Sequence, residues 1–226
     1  MVSVEVRPRG AVVRDALSVG VAVGVSGVAF GGTAVAAGLT VAQACALSLL
    51  AFTGASQYAF VASIAAGGNP LVGTVGALLL GARNSLYGLR LAPLLELRRG
   101  LKAAAAQIVI DESTAVALAQ PDRASRRIAF TTTGVTIFVL WNATTMAGAL
   151  GATALGDPAR FGLDVAGPAA FLALLVPQLR GRTPVAVAAL AAAIALGTTP
   201  LLPAGVPILA AVAAVPLVLL ARRRFT

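Results

Sequence analysis

Three ionisable side chains stand inside stretches that are otherwise apolar: Arg83, Asp111 and Glu112. A charge at the centre of a bilayer costs about 2.5–3.5 kcal/mol on insertion scales, so such groups mark function or a specific partner. Arg83, Tyr87 and Arg90 are four and three residues apart, which puts them on one helical face. The planar fork of Arg83 suits a substrate carboxylate, and an ion pair with Asp111 or Glu112 is the equal alternative. Arg90 reads as a snorkelling or water-facing charge. Asp111 and Glu112 are candidates for proton coupling; the plain alternative is an amphipathic surface helix. Neighbouring helical positions point about 100° apart, so at most one of the two acids should face a central cavity.

A second polar group is Thr53-Gly54-Ala55-Ser56-Gln57-Tyr58. Thr53, Ser56 and Gln57 share a helical face, and Gly54 lets a backbone or substrate come close. A helix broken there would bare amides and carbonyls to a ligand. Hydrogen bonding between helices explains the same residues without a ligand. Asn84 and Tyr87 flank Arg83 and complete a candidate substrate-binding set of Thr53, Gly54, Ser56, Gln57, Arg83, Asn84 and Tyr87. Trp141-Asn142 is a weaker signal, explained by an interfacial Trp and an Asn that ties helices together.

Other chemistry is excluded by what the 226 residues lack. There is no His and one Cys, Cys45, so neither a His/Cys metal site nor a disulfide framework can form within the chain. No Gly-rich phosphate loop, Ser/Lys nucleophile motif or spaced acid motif is present. No catalytic residue and no cofactor is therefore assigned.

The elements that position these groups are membrane helices. Hydrophobic residues make up 58% of the chain and charged ones 11%, against about 25% charged in soluble domains. Residues 16–82 carry no charge, and as helix that run could cross a ~30 Å core about three times. The expectation is one all-α, polytopic transmembrane domain over residues 1–226. Spans are expected at Ala16–Ala37, Val41–Ala66, Ile128–Gly151, Leu163–Leu179, Thr183–Thr198 and Val206–Ala221. In the first, Gly20, Gly24, Gly27 and Gly31 form a small-residue ridge for close helix packing. A signal peptide is the rival reading of the start, but its apolar part is too long for one.

The net charge of +9 comes from 17 Lys and Arg against 8 acids, clustered between apolar runs. Short basic loops are what the positive-inside rule produces, and no aromatic platform points to nucleic acid. Counting spans with basic loops inside places both termini in the cytoplasm. It leaves two versions of residues 71–92 and 103–119. Each is either a full span, giving eight, or a re-entrant pair of half-helices beside six full spans, one turning at Arg83-Asn84 and one near Asp111-Glu112. Only the hairpin version keeps Arg98, Arg99 and Lys102 inside, and Pro93 is expected to break the chain.

Taken together, Val28-Ala29-Phe30-Gly31, Phe52-Thr53-Gly54-Ala55-Ser56-Gln57-Tyr58, Arg83-Asn84-Ser85-Leu86-Tyr87-Gly88-Leu89-Arg90-Leu91-Ala92-Pro93 and Asp111-Glu112-Ser113-Thr114 resemble the AzlC-type branched-chain amino acid permease family. Phe161-Gly162-Leu163-Asp164 and Phe171-Leu172-Ala173-Leu174-Leu175-Val176-Pro177 follow in the family's order. The resemblance implies a multi-pass protein of the bacterial inner membrane that exports branched-chain amino acids such as valine, energised by protons. It also implies a small AzlD-type membrane subunit as partner. The bilayer and the amino acid are further partners, and a homo-oligomer stays open. A channel and a non-transporting scaffold or receptor are the rival functions.

Overall fold

The computed structural model describes residues 8–155, 169, 172, 175–203 and 206–223; all of its regular elements are helical. Two helices among the described residues are long and apolar enough to cross a membrane, Arg9–Ala36 and Arg123–Leu155. The first consists of α1 (Arg9–Val25) and α2 (Gly27–Ala36), joined through one tight turn at Ser26. The second is α8 (Arg123–Leu155), the longest element.

The glycine ridge of α1 and α2 lies on α8. Gly20 faces Thr136, Gly24 faces Leu140, Gly27 faces Trp141 and Thr144, and Gly31 faces Thr145. The numbers rise together, so the two rods run parallel. The Thr144 hydroxyl donates to the Gly24 carbonyl at 2.8 Å, a contact possible only where the backbones nearly touch. Opposite the ridge, Leu17, Val21, Val25 and Val28 are exposed, as are Val135, Val139, Met146 and Leu150 on α8. These stripes are the faces that lipid would cover.

Positions along α8 give the height of everything else. α3 (Val41–Leu50) descends from the far end: Ser48 meets Thr145, and beyond the helix Phe52 packs on Phe138. The chain turns at residues 51–54, and α4 (Ala55–Ala65) climbs back, with Tyr58 against Phe30 and Trp141. α5 (Pro70–Leu95) then runs down beside α4, Gly73 facing Ser63 and Gly81 facing Ser56. Its lower end is fixed to the start of α8. Arg127 donates to the Leu95 and Glu96 carbonyls at 2.6 and 2.7 Å, and Arg123 pairs with Glu96.

From that end α6 (Arg99–Gln107) rises along α5, the chain breaks at residues 108–110, and α7 (Asp111–Leu118) returns. Ile108 lies against Gly134 at mid-height, and Ala117 joins Leu91, Leu95 and Phe130 lower down. Before α8, Asp122 accepts the Ser125 amide at 3.0 Å, a cap that holds its carboxyl below the usual range. α3/α4 and α6/α7 are thus two helical hairpins entering from opposite ends. Their tips meet where Gln107 Nε2 donates to the Leu49 carbonyl at 2.7 Å.

Two expectations need correction. Of the two versions open for 71–92, the re-entrant hairpin does not form: the segment is a single 26-residue helix, α5, uninterrupted at Arg83-Asn84. Nothing before Pro93 breaks it, and its half-buried charge at Arg83 is met by another segment instead of by a turn. Pro93 lies in the last turn, where it removes a single hydrogen bond, and the helix ends at Glu96 with φ 42°. Conversely, Val41–Ala66 does not run through in one direction, because it folds back at Gly54, φ 62°.

The span expected at Leu163–Leu179 lies largely outside the described residues, as do Asp164 and the Phe161-Gly162-Leu163-Asp164 motif; its end forms a 3₁₀ turn, Val176–Gln178. The last elements are α9 (Arg182–Thr198), α10 (Val206–Ala211) and α11 (Ala214–Arg223). They pack mainly on one another, and Leu209 reaches Gly76 of α5.

Candidate functional site

Every interruption so far described opens on the same cavity. It is lined by Val23, Ser26 and Ala29 at the α1/α2 turn, by Phe52 through Ala55 and Tyr58 at the first hairpin tip, and by Ile110, Asp111 and Glu112 at the second. Arg83 of α5, Ile137 and Trp141 of α8 and Gln178 of the 3₁₀ turn complete it. Its volume is about 260 Å³, below the roughly 300–1,000 Å³ of sites for drug-sized ligands.

Each hairpin tip is held open by the third residue of its returning helix. Gln57, 1% exposed, accepts the Gly54 N–H at Oε1 and donates Nε2 to the Leu47 carbonyl, both at 3.0 Å, so one side chain spans the break. Ser113, fully buried, accepts the Ile110 N–H at 3.1 Å and donates to the Ile108 carbonyl at 2.6 Å. A backbone that leaves the helix inside a membrane must find such partners, since no lipid supplies them. The result is two half-helices, α4 and α7, whose N-termini face one cavity with the positive ends of their dipoles.

The charges sit between them. Arg83 Nη2 lies 2.7 Å from Asp111 Oδ2, the two side chains 30% and 34% exposed. Tyr87, one turn further along α5, lies close to Asp111 as well. Of the two partners open to Arg83 on sequence grounds, the structure selects Asp111. Glu112 makes no ion pair among the described residues. Both acids line the cavity, contrary to the expectation that only one would. They occupy the first two positions of a helix whose end, not side, forms the wall.

The candidate residues divide by location. Thr53, Gly54, Arg83, Asp111 and Glu112 line this cavity. Ser56 and Gln57 lie on the other side of α4, with Thr53, in a second cavity of about 650 Å³ against α5. Asn84 faces a third, between α5 and α6, of about 300 Å³. Tyr87 does not line the cavity and lies behind it, near Asp111. Trp141 is not interfacial: it is 5% exposed, stacked on Phe30 with ring centres 5.8 Å apart. Asn142 donates within its own helix to Phe138 at 2.7 Å. Phe52, Tyr58 and Gln178 are lining residues outside the candidate substrate-binding set. Tyr58 ends the polar motif and Phe52 precedes it, which was the one available signal.

A family model described as AzlC protein matches residues 18–155. No curated protein and no solved structure matches the chain. The matched stretch contains both hairpins, α5 and α8, and so every wall of the cavity except Gln178. Matched over more than half its length, the chain belongs to the AzlC family, a family of membrane proteins that transport amino acids.

Proposed function

We propose that this protein is a proton-coupled secondary transporter that exports branched-chain or related small apolar amino acids across the bacterial inner membrane, working with a small AzlD-type subunit. The observation that carries the reading is the cavity itself. It is small, walled by apolar and aromatic side chains, and closed at mid-height by two helix N-termini and three charged groups. This is the arrangement expected of a midplane substrate site in a transporter. Thr53, Gly54 and Arg83 contribute to the substrate site, Ser56 and Gln57 hold the tip beside it, and Asn84 and Tyr87 frame Arg83. Asp111 and Glu112 are the proton-coupling acids.

The distribution of charge supports the orientation. Arg9 and Arg14, Arg98, Arg99 and Lys102, and Arg123, Arg126 and Arg127 all belong to the end where α1 starts, α5 ends and α8 starts. The turns at 37–40 and 66–69 at the other end carry no charge. By the positive-inside rule the basic end is cytoplasmic. The cluster at 98–102 is thereby kept inside by a full crossing of α5 with hairpins on either side of it, a different route from the one expected. A Cys at Gly100 in a Cys45→Ser background should react only after permeabilisation.

In sealed vesicles carrying the chain with an AzlD-type subunit, leucine and valine should show saturable counterflow, and an imposed proton gradient should drive their net movement. Absence of flux under both conditions overturns the transport reading in favour of a scaffold. Flux that never saturates favours a channel.

A further inference from the structure

Resting on that transport reading, we propose that the cavity holds its amino acid in one polarity, carboxylate against the N-terminus of α4 and the Trp141 indole N–H, ammonium on Glu112. The two helix N-termini at the cavity are not equivalent. α7 begins with two acids of its own, Asp111 and Glu112, whereas the first turn of α4 contains none. The Gly54 N–H is taken by Gln57. The amides that follow in that turn have no intrahelical acceptor, and Gly54 and Ala55 line the cavity. An anion is what this end lacks.

Trp141 points to the same ligand group independently. It lines the cavity and is 95% buried, being 5% exposed, and its Nε1 has no hydrogen-bond partner among the described residues. A buried donor without an acceptor is costly, and an incoming carboxylate relieves it. Arg83 is the obvious rival for the carboxylate, but its Nη2 already serves Asp111 at 2.7 Å, and its Nε is left buried without a partner among the described residues. That pair cancels in charge, which leaves Glu112 as the excess negative group among the described lining residues. A single cation fits it. A zwitterion satisfies Glu112 and α4 together; a carboxylic acid or an amine alone leaves one of them unmet. Val23, Phe52 and Ile137 give the wall an apolar part, which takes the aliphatic side chain.

The test uses the purified full chain with its AzlD-type subunit in nanodiscs, and competition against radiolabelled leucine by leucine, by 4-methylpentanoate (no amino group) and by 3-methylbutylamine (no carboxylate). In the parent both analogues should compete, each more weakly than leucine. Glu112→Gln should weaken leucine and 3-methylbutylamine by about tenfold or more, the loss of one charge-assisted hydrogen bond. It should leave 4-methylpentanoate unchanged, which also reports an intact fold. Trp141→Phe should do the converse, weakening leucine and 4-methylpentanoate and sparing the amine. If either variant weakens both analogues alike, or if either analogue fails to compete in the parent, the polarity is overturned while amino acid binding stands. If the parent binds no leucine, the transport reading itself fails and this inference with it.

Discussion

The seam between α1/α2 and α8 and the pair of facing hairpins are built on opposite rules. In the seam, a Cβ on Gly31 would lie 2.0 Å from the Thr145 carbonyl oxygen, and one on Gly148 would lie 2.0 Å from that of Val28. There backbone meets backbone, and glycine is the only residue that fits. In the hairpins, glycine contacts are with side chains and looser, 3.0 Å from Gly73 to Ser63 and 3.2 Å from Gly81 to Ser56. There the Ser56 and Ser63 hydroxyls are buried without partners among the described residues, and three cavities open around α5. A membrane protein without a strong hydrophobic drive between its helices gains stability from the first kind of contact and function from the second. The seam is the frame, and the hairpins are what it holds at a fixed height.

The largest expected effect breaks the frame. Gly148→Ala puts a methyl where the Val28 carbonyl already lies, and neither backbone can yield. Destabilisation should exceed the ~1–3 kcal/mol usual for overpacking. Size-exclusion profiles in mild detergent should show loss of the folded species. Gly151, three residues on in the same helix, has nothing within 4 Å of its would-be Cβ. Gly151→Ala should therefore leave the profile unchanged or sharpen it. Equal behaviour of the two variants would mean the seam is not the frame.

An intermediate effect is expected in the hairpin half. Arg83→Gln leaves Asp111 without its cation, and Asp111→Asn leaves Arg83 without its anion. The pair is about one-third exposed, so each should cost about 2 kcal/mol, between the ~0–1 of exposed pairs and the ~3–5 of fully buried ones. The double variant should recover most of the thermal stability. Additive losses would show that the two side chains are held by something other than each other.

The same contrast governs what could be read from the chain beforehand. The glycine ridge was legible because its spacing alone makes a smooth face. Arg83, Asp111 and Glu112 were legible because a charge in an apolar run is rare. Where the chain turns was not. A polar group centred in an apolar stretch has one signature whether the backbone folds back there or a distant residue comes to meet it. Arg83-Asn84 and Thr53-Gly54 therefore look alike in sequence and end as a straight helix and a hairpin tip. The capping duties of Gln57 and Ser113 depend on turns not yet located, and so stayed hidden. Trp141 was misplaced because depth within a 33-residue helix cannot be read from the helix itself.

The last test asks whether the tip's backbone, apart from its side chains, shapes the site. Gly54 has φ 62° and ψ −92°, and nothing lies within 4 Å of a Cβ built there. Gly54→Ala therefore meets no steric obstacle and only the strain of a conformation that L-residues avoid, about 1–3 kcal/mol. Gly67, in the turn that follows α4, is matched for this purpose: φ is 72° and its surroundings are equally open. Both substitutions should lower the melting temperature by similar amounts. They should part on leucine binding. Alanine at 54 relieves its strain by rotating toward negative φ, which swings the first amides of α4 away from the cavity, so affinity falls. Alanine at 67 relaxes in a turn outside the cavity lining, and affinity should match the parent. Equal affinities in the two variants would mean that the α4 N-terminus takes no part in holding the ligand, leaving the site to its side chains alone.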